Sequence, residues 1–261
     1  MEHQISSAIA KGWFDKLERH LACDVVIVGA GPSGLVCASE LASSGINTTV
    51  IERKLAPGGG MWGGAMFFNQ IVIPSKALPI LDRYGIRHHE AENGLHLADA
   101  VEATSALIYR AASAGAAIFT GITAEDIIVE QNRITGVVIN WTAVAKNKMH
   151  VDPLTISAQV VLDATGHSCE VVSILTQKNH VELEYPSRSV VYERSLNASA
   201  GERACVEFTG QVYPGLFVCG MAACGVSGSN RMGPIFGGML LSGIKAAELI
   251  RGKLPEGESH A

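Results

Sequence analysis

The chain has 261 residues, 48% hydrophobic and 17% charged, so it can bury a sizeable core and is too apolar for a disordered protein. Its net charge of -5 comes with scattered Lys and Arg, which leaves no basic footprint for nucleic acid. No run approaches the roughly 20 apolar residues of a membrane span, and the six cysteines form neither a CxxC pair nor a disulfide-like spacing. A cytoplasmic protein with reduced thiols is expected.

The first residues, with "KGWFDKLERHL", carry mixed charge and a Trp/Phe/Leu face, which predicts an amphipathic helix over about 4–21 rather than a signal peptide. Val25–Val28 is apolar throughout, as a buried parallel strand is; a turn from Gly29 to Gly34 leads into a helix over Leu35–Ser44 and a second strand, Thr48–Ile51, ending at Glu52. A glycine-rich loop occupies 58–64, and helices are expected around Ser75–Tyr84 and Ala98–Ala114. Short strands follow at Ala117–Thr120, Ala124–Glu130, Ile134–Trp141 and Ser157–Asp163, with a tight turn at Asn132-Arg133; their succession predicts an antiparallel meander inserted in the parallel sheet. "NWTAVAKNK" looks like one strand running into a turn. From Tyr213 the pattern gives a strand at Leu216–Cys219, a long Gly/Ser/Asn loop, a closing helix from about Gly237 and a frayed polar tail over about 252–261. A single α/β domain spanning 1–261 is expected, Rossmann-like, with a meander insertion and an N-terminal helix.

Gly29, Gly31 and Gly34 form G-x-G-x-x-G, whose glycines permit a tight turn, backbone approach to a pyrophosphate and close helix–strand packing. The triplet alone is a weak signal. Here it follows a strand, opens a helix, and precedes an acid, Glu52, 18 positions after Gly34, which matches the expected ribose-binding carboxylate. An adenine dinucleotide is therefore expected. The GAGPSG start, the meander and the late "GLFVCGMA" are similar to two-dinucleotide-binding flavoproteins, in which the late motif ends in Gly-Asp. This chain has Gly220-Met221, which weighs against bound flavin and leaves FAD and NAD both open.

Residues 149–154 read "MHVDPL". His150 and Asp152 share a face if the chain is extended there, and Pro153 blocks a helix. Together with "ERKLAPGGGMWGGAMFFNQIVI", "DATGH" and "SNRMGPIFGGMLLSG", this block resembles the thiamine thiazole synthase family over roughly residues 15 to 250. The likeness implies that NAD is a substrate. Nicotinamide is lost, the opened ADP-ribose condenses with glycine, and sulfur addition and cyclisation give an adenylated thiazole carboxylate. It also implies that Ser33, Glu52, Arg53 and Gly60 hold the ADP-ribose part, with Ala124 and Met221 beside it, and that Arg231 grips the glycine carboxylate, a bidentate task that suits a guanidinium.

In one branch of the family a cysteine two residues before the aspartate gives up its sulfur. Here that place is His150, so the chain resembles the branch that uses free sulfide; His150 is also a candidate for proton transfer. Asp152 and His167 are the implied Fe(II) ligands, with the metal as Lewis acid and template. The family is usually octameric, with Asp152 reaching a neighbouring subunit's site. Cys169 is expected to be structural. A FAD-dependent oxidoreductase, a ribose 1,5-bisphosphate isomerase and a non-catalytic carrier of the ADP-thiazole are the competing classes.

Overall fold

The computed structural model describes residues 1–184 and 186–255. Its centre is β1 (Ala22–Val28), whose side chains alternate between two cores. Val25 and Ile27 face one, Val26 and Val28 the other, which explains why the strand is apolar on both faces. On one side of β1 lie β2 (Thr48–Glu52) and then β6 (Ala117–Thr120); on the other lie β9 (Leu154–Asp163), β11 (Leu216–Val218) and β10 (Gly210–Tyr213). The pairings are parallel except β10 with β11. The strand order therefore reverses at β1, and crossovers leave a crevice at the carboxyl ends of the strands, where such sheets bind ligands.

Four helices share the first core: α2 (Pro32–Ser43), α3 (Leu78–Tyr84), α4 (Ala100–Ser113) and α9 (Gly237–Arg251). Contact between α2 and α9 needs a glycine, because a Cβ on Gly243 would lie 2.6 Å from the Ser33 carbonyl oxygen. The second core lies under β7 (Ile122–Glu130), β8 (Arg133–Trp141), α6 (Glu170–Asn179) and α8 (Met221–Ser227). β7, β8 and the first part of β9 form the expected antiparallel meander. The β7–β8 turn falls one residue early, on Gln131 and Asn132, both with positive φ as a two-residue hairpin of this kind requires.

The N-terminal helix α1 runs Glu2–Glu18 and buries only Leu17. Trp13 fastens it by stacking on Trp141 at 5.4 Å between ring centroids, and Lys16 Nζ donates to the Ile118 carbonyl at 2.6 Å.

Several segments differ from expectation. The stretch after Trp141 is a short helix, α5 (Thr142–Asn147), not a strand into a turn. The Gly/Ser/Asn loop contains α8, whose residues up to Val226 are buried. The helix expected over Ala98–Ala114 begins only at Ala100, because Asp99 ends strand β5 (Leu95–Asp99) and caps the helix by accepting from the Glu102 N–H. β5 joins β3 (Gln70–Pro74) and β4 (His88–Glu90) in a small antiparallel sheet that the periodicity did not reveal. The segment around Ser75–Tyr84 is one 3-10 turn followed by α3 (Leu78–Tyr84), and α7 (Ala198–Glu207) precedes β10. Of the tail, Leu254 packs on the first core and 256–261 lie outside the described residues.

Candidate active site

A cavity of about 560 Å³ opens at the carboxyl ends of β1, β2, β9 and β11, reached by Val28, Glu52, Ala164 and Cys219. The glycine turn closes one wall. Gly29 has φ +105, and a Cβ on Gly34 would sit 2.2 Å from the Gly29 carbonyl oxygen, so the helix can start this close to the strand only without side chains. Ser33 lies buried in the first turn of α2. Opposite it, Gly220 has φ +63 and space for no Cβ, since one would meet Ser33 Oγ at 2.4 Å. Gly220 is itself held by its N–H, which donates to Ser242 Oγ at 2.7 Å.

Glu52 is buried, and each of its carboxylate oxygens already accepts a backbone N–H: Oε2 from Ala30 at 3.0 Å and Oε1 from Lys54 at 2.8 Å. These two bonds fix the carboxylate against the glycine turn, and each oxygen keeps a further lone pair for a hydroxyl. Arg53 pairs with Glu170 at the first turn of α6.

His167 follows from how β9 ends. Asp163, fully buried, accepts from the Thr165 N–H at 2.9 Å, the Thr165 hydroxyl at 2.7 Å and the Val172 N–H at 3.0 Å. Burial pushes its carboxyl above the usual aspartate range, against the pull of those donors. The knot directs the chain through a single 3-10 turn, Gly166–Ser168, carrying His167 to the cavity. His167 Nδ1 lies 2.6 Å from Glu193 Oε1, and its Nε2 takes no partner among the described residues. Cys169 is buried, and burial pushes its thiol far up, so the expected structural role fits.

Ser33, Glu52, Arg53, Gly60, Ala124, His167, Met221 and Arg231 thus all line one cavity. His150 and Asp152 do not. They lie on an exposed loop between α5 and β9. Among the described residues no group of three or more His, Cys, Asp or Glu gathers as a metal site. His167 therefore lines the cavity with one ring nitrogen unpartnered among the described residues, while Asp152 is not among the residues that line it. Sequence reasoning missed Glu170 and Glu193. Glu170 stands three residues after His167, close enough to have been weighed; Glu193 lies in a segment without periodicity.

A largely parallel sheet, a glycine turn at the strand reversal and a pre-set acid at the end of the second strand define an α/β protein of the Rossmann-like, dinucleotide-binding fold type. The Thi4 family model matches residues 6–236. Thiamine thiazole synthases from Methanothermobacter thermautotrophicus and Thermotoga maritima are 48% and 43% identical, each alignment covering 96% of this chain and 97% of the relative. The crystal structure of Thermovibrio ammonificans THI4 superposes with a TM-score of 0.95 at 49% identity, covering 97% of this chain and 98% of that one. The chain belongs to the Thi4 family.

Proposed function

We propose that the chain is a thiamine thiazole synthase that builds an adenylated thiazole carboxylate from NAD, glycine and free sulfide, using Fe(II). The observation that carries this reading is a shared cavity: Ser33, Glu52 and Met221, the proposed ADP-ribose cradle, line it together with His167 and Arg231.

In this reading Glu52 takes the adenosine ribose hydroxyls and the free N–H groups at the start of α2 take the pyrophosphate. Arg231 binds the glycine carboxylate in a bidentate manner. Fe(II), held by His167 of one protomer and Asp152 of a neighbour, would supply Lewis-acid polarisation and a template. His150 replaces a sulfur-donating thiol, so the sulfur comes from solution; its imidazole is the candidate to move protons once a neighbour's loop closes the site.

A shared site requires an oligomer, and an octamer is the proposed form. The rim supports this: Met66, which lines the cavity, and the next two residues, Phe67 and Phe68, are largely exposed, with left-handed backbone at Met66 and Phe67. Among the described residues no helix is long and apolar enough to cross a membrane, and none of the six cysteines is bridged, in keeping with the cytoplasm as the proposed compartment.

The test is anoxic incubation of the protein with Fe(II), NAD, glycine and sulfide, followed by mass spectrometry. An adenylated thiazole is expected. Turnover of ribose 1,5-bisphosphate without NAD, or a yellow protein with flavin absorbance, would replace this reading with an isomerase or an oxidoreductase.

A further inference from the structure

His167 and Glu193 come from different parts of the chain and meet on one platform, the helix α8. On the histidine side, Cys169 adopts a left-handed conformation (φ 46°, ψ 47°) and its Sγ rests 3.5 Å from the Ala222 carbonyl oxygen. A Cβ on Gly225 would fall 2.4 Å from that sulfur, so only glycine admits the thiol. On the glutamate side, the Tyr192 N–H donates to the carbonyl of the same Gly225 at 2.8 Å. Arg194 continues the grip, its N–H donating to Ser229 O at 2.8 Å and its Nε to Gly228 O at 2.7 Å.

Tyr192 itself has φ 62°, a conformation that costs a non-glycine residue about 1–2 kcal/mol and persists only where neighbours over-determine it. The strained residue directly precedes Glu193, whose side chain is only 12% exposed and ends on His167 Nδ1 at 2.6 Å. A carboxylate accepts and does not donate, so Nδ1 carries the proton, and in the neutral ring Nε2 is the lone-pair nitrogen. Histidines that ligate metals are commonly held this way through their second nitrogen.

We propose that Glu193 is the positioning residue for His167: it selects the Nδ1–H tautomer and fixes the ring so that Nε2 faces a divalent metal. The inference rests on the metal reading of His167 given above. Glu193 does not line the cavity and acts through the imidazole.

The experiment titrates metal-free protein with Co(II) under anoxia, following the visible d–d bands, and measures ADP-ribose affinity alongside. Glu193→Ala is expected to weaken Co(II) binding by about 10–100-fold and to shift the d–d bands, with ADP-ribose affinity unchanged. Glu193→Gln keeps an oxygen that can accept from Nδ1–H and is expected to recover most of the loss. Wild-type Co(II) affinity and spectrum in a folded Glu193→Ala protein would overturn the inference, as would a Gln variant no better than Ala. His167→Ala separates the two levels. If it abolishes Co(II) binding while Glu193→Ala leaves it intact, only the positioning role falls; if His167→Ala binds Co(II) like wild type, the metal reading falls with it.

Discussion

Asp163 shows how single residues set this site. Its two oxygens serve three donors, and no amide can replace them, so Asp163→Asn is expected to cost about 1–3 kcal/mol, read as a lower urea midpoint. The pH dependence has a definite sign. Burial raises the folded-state pKa above the ordinary 3.8, so the native protein binds the proton more tightly than the unfolded chain. Its contribution therefore declines as pH rises from about 3.8 through the folded value, and the Asn variant should lose that slope in stability measured from pH 4 upward. Gly220 is the second sensitive point: Gly220→Ala combines a disfavoured φ with a Cβ driven into Ser33 Oγ, and calorimetry should find ADP-ribose binding weakened at least tenfold. The thiols are a third. Five of the six are buried, and burial pushes half-buried Cys23 up to about 11, so iodoacetamide at pH 8 should modify the native protein slowly and the urea-unfolded chain quickly. At this scale the sequence was readable where spacing carries the meaning: Ser33 and Glu52 sit where a strand, a turn and a helix must place them. Glu193 was not readable, because the contact that gives it a task spans 26 positions and depends on a strained tyrosine.

Elements were legible in proportion to their periodicity. The strands β1, β2, β7 and β8 fall where apolar runs and alternation put them, since burial on one or both faces leaves that mark in the composition. α8 escaped because it is buried nearly all round and made of Met, Ala, Cys, Gly and Val with a single Ser at its end, so it shows no polar face and its glycine suggests a loop. α5 escaped because six residues are too few to establish a period. The small sheet β3–β5–β4 was hidden by its polar edge, with His88, His89 and Glu90 in one strand. α1 offers the test at this scale. It buries little, and its attachment depends on Trp13 between Trp141, Phe119 and Phe14. Trp13→Ala should cost about 2–3 kcal/mol, less than a fully buried tryptophan would, and should hasten tryptic cleavage after Lys11.

At the scale of the molecule, the glycine turn and its acid were legible from the sequence, whereas the separation of Asp152 from the cavity that His167 lines was not, because it depends on how α5 and β9 are joined. If the site is shared, Asp152→Ala and His167→Ala should each be inactive alone, yet a one-to-one mixture co-assembled from both should regain activity in about a quarter of its sites, since each site draws one residue from each protomer. A mixture as inactive as its components would place both residues in the same subunit. One further consequence follows from the seat on Gly225. α8 begins with Met221 against the nucleotide cavity and, one turn later, presents Gly225 to both Cys169 and Tyr192. The helix thus joins the part of the cavity proposed for ADP-ribose to the imidazole–carboxylate pair. If the proposed ADP-ribose and metal sites are coupled through this helix, the coupling is reciprocal: whatever tightening ADP-ribose brings to Co(II), Co(II) must return to ADP-ribose.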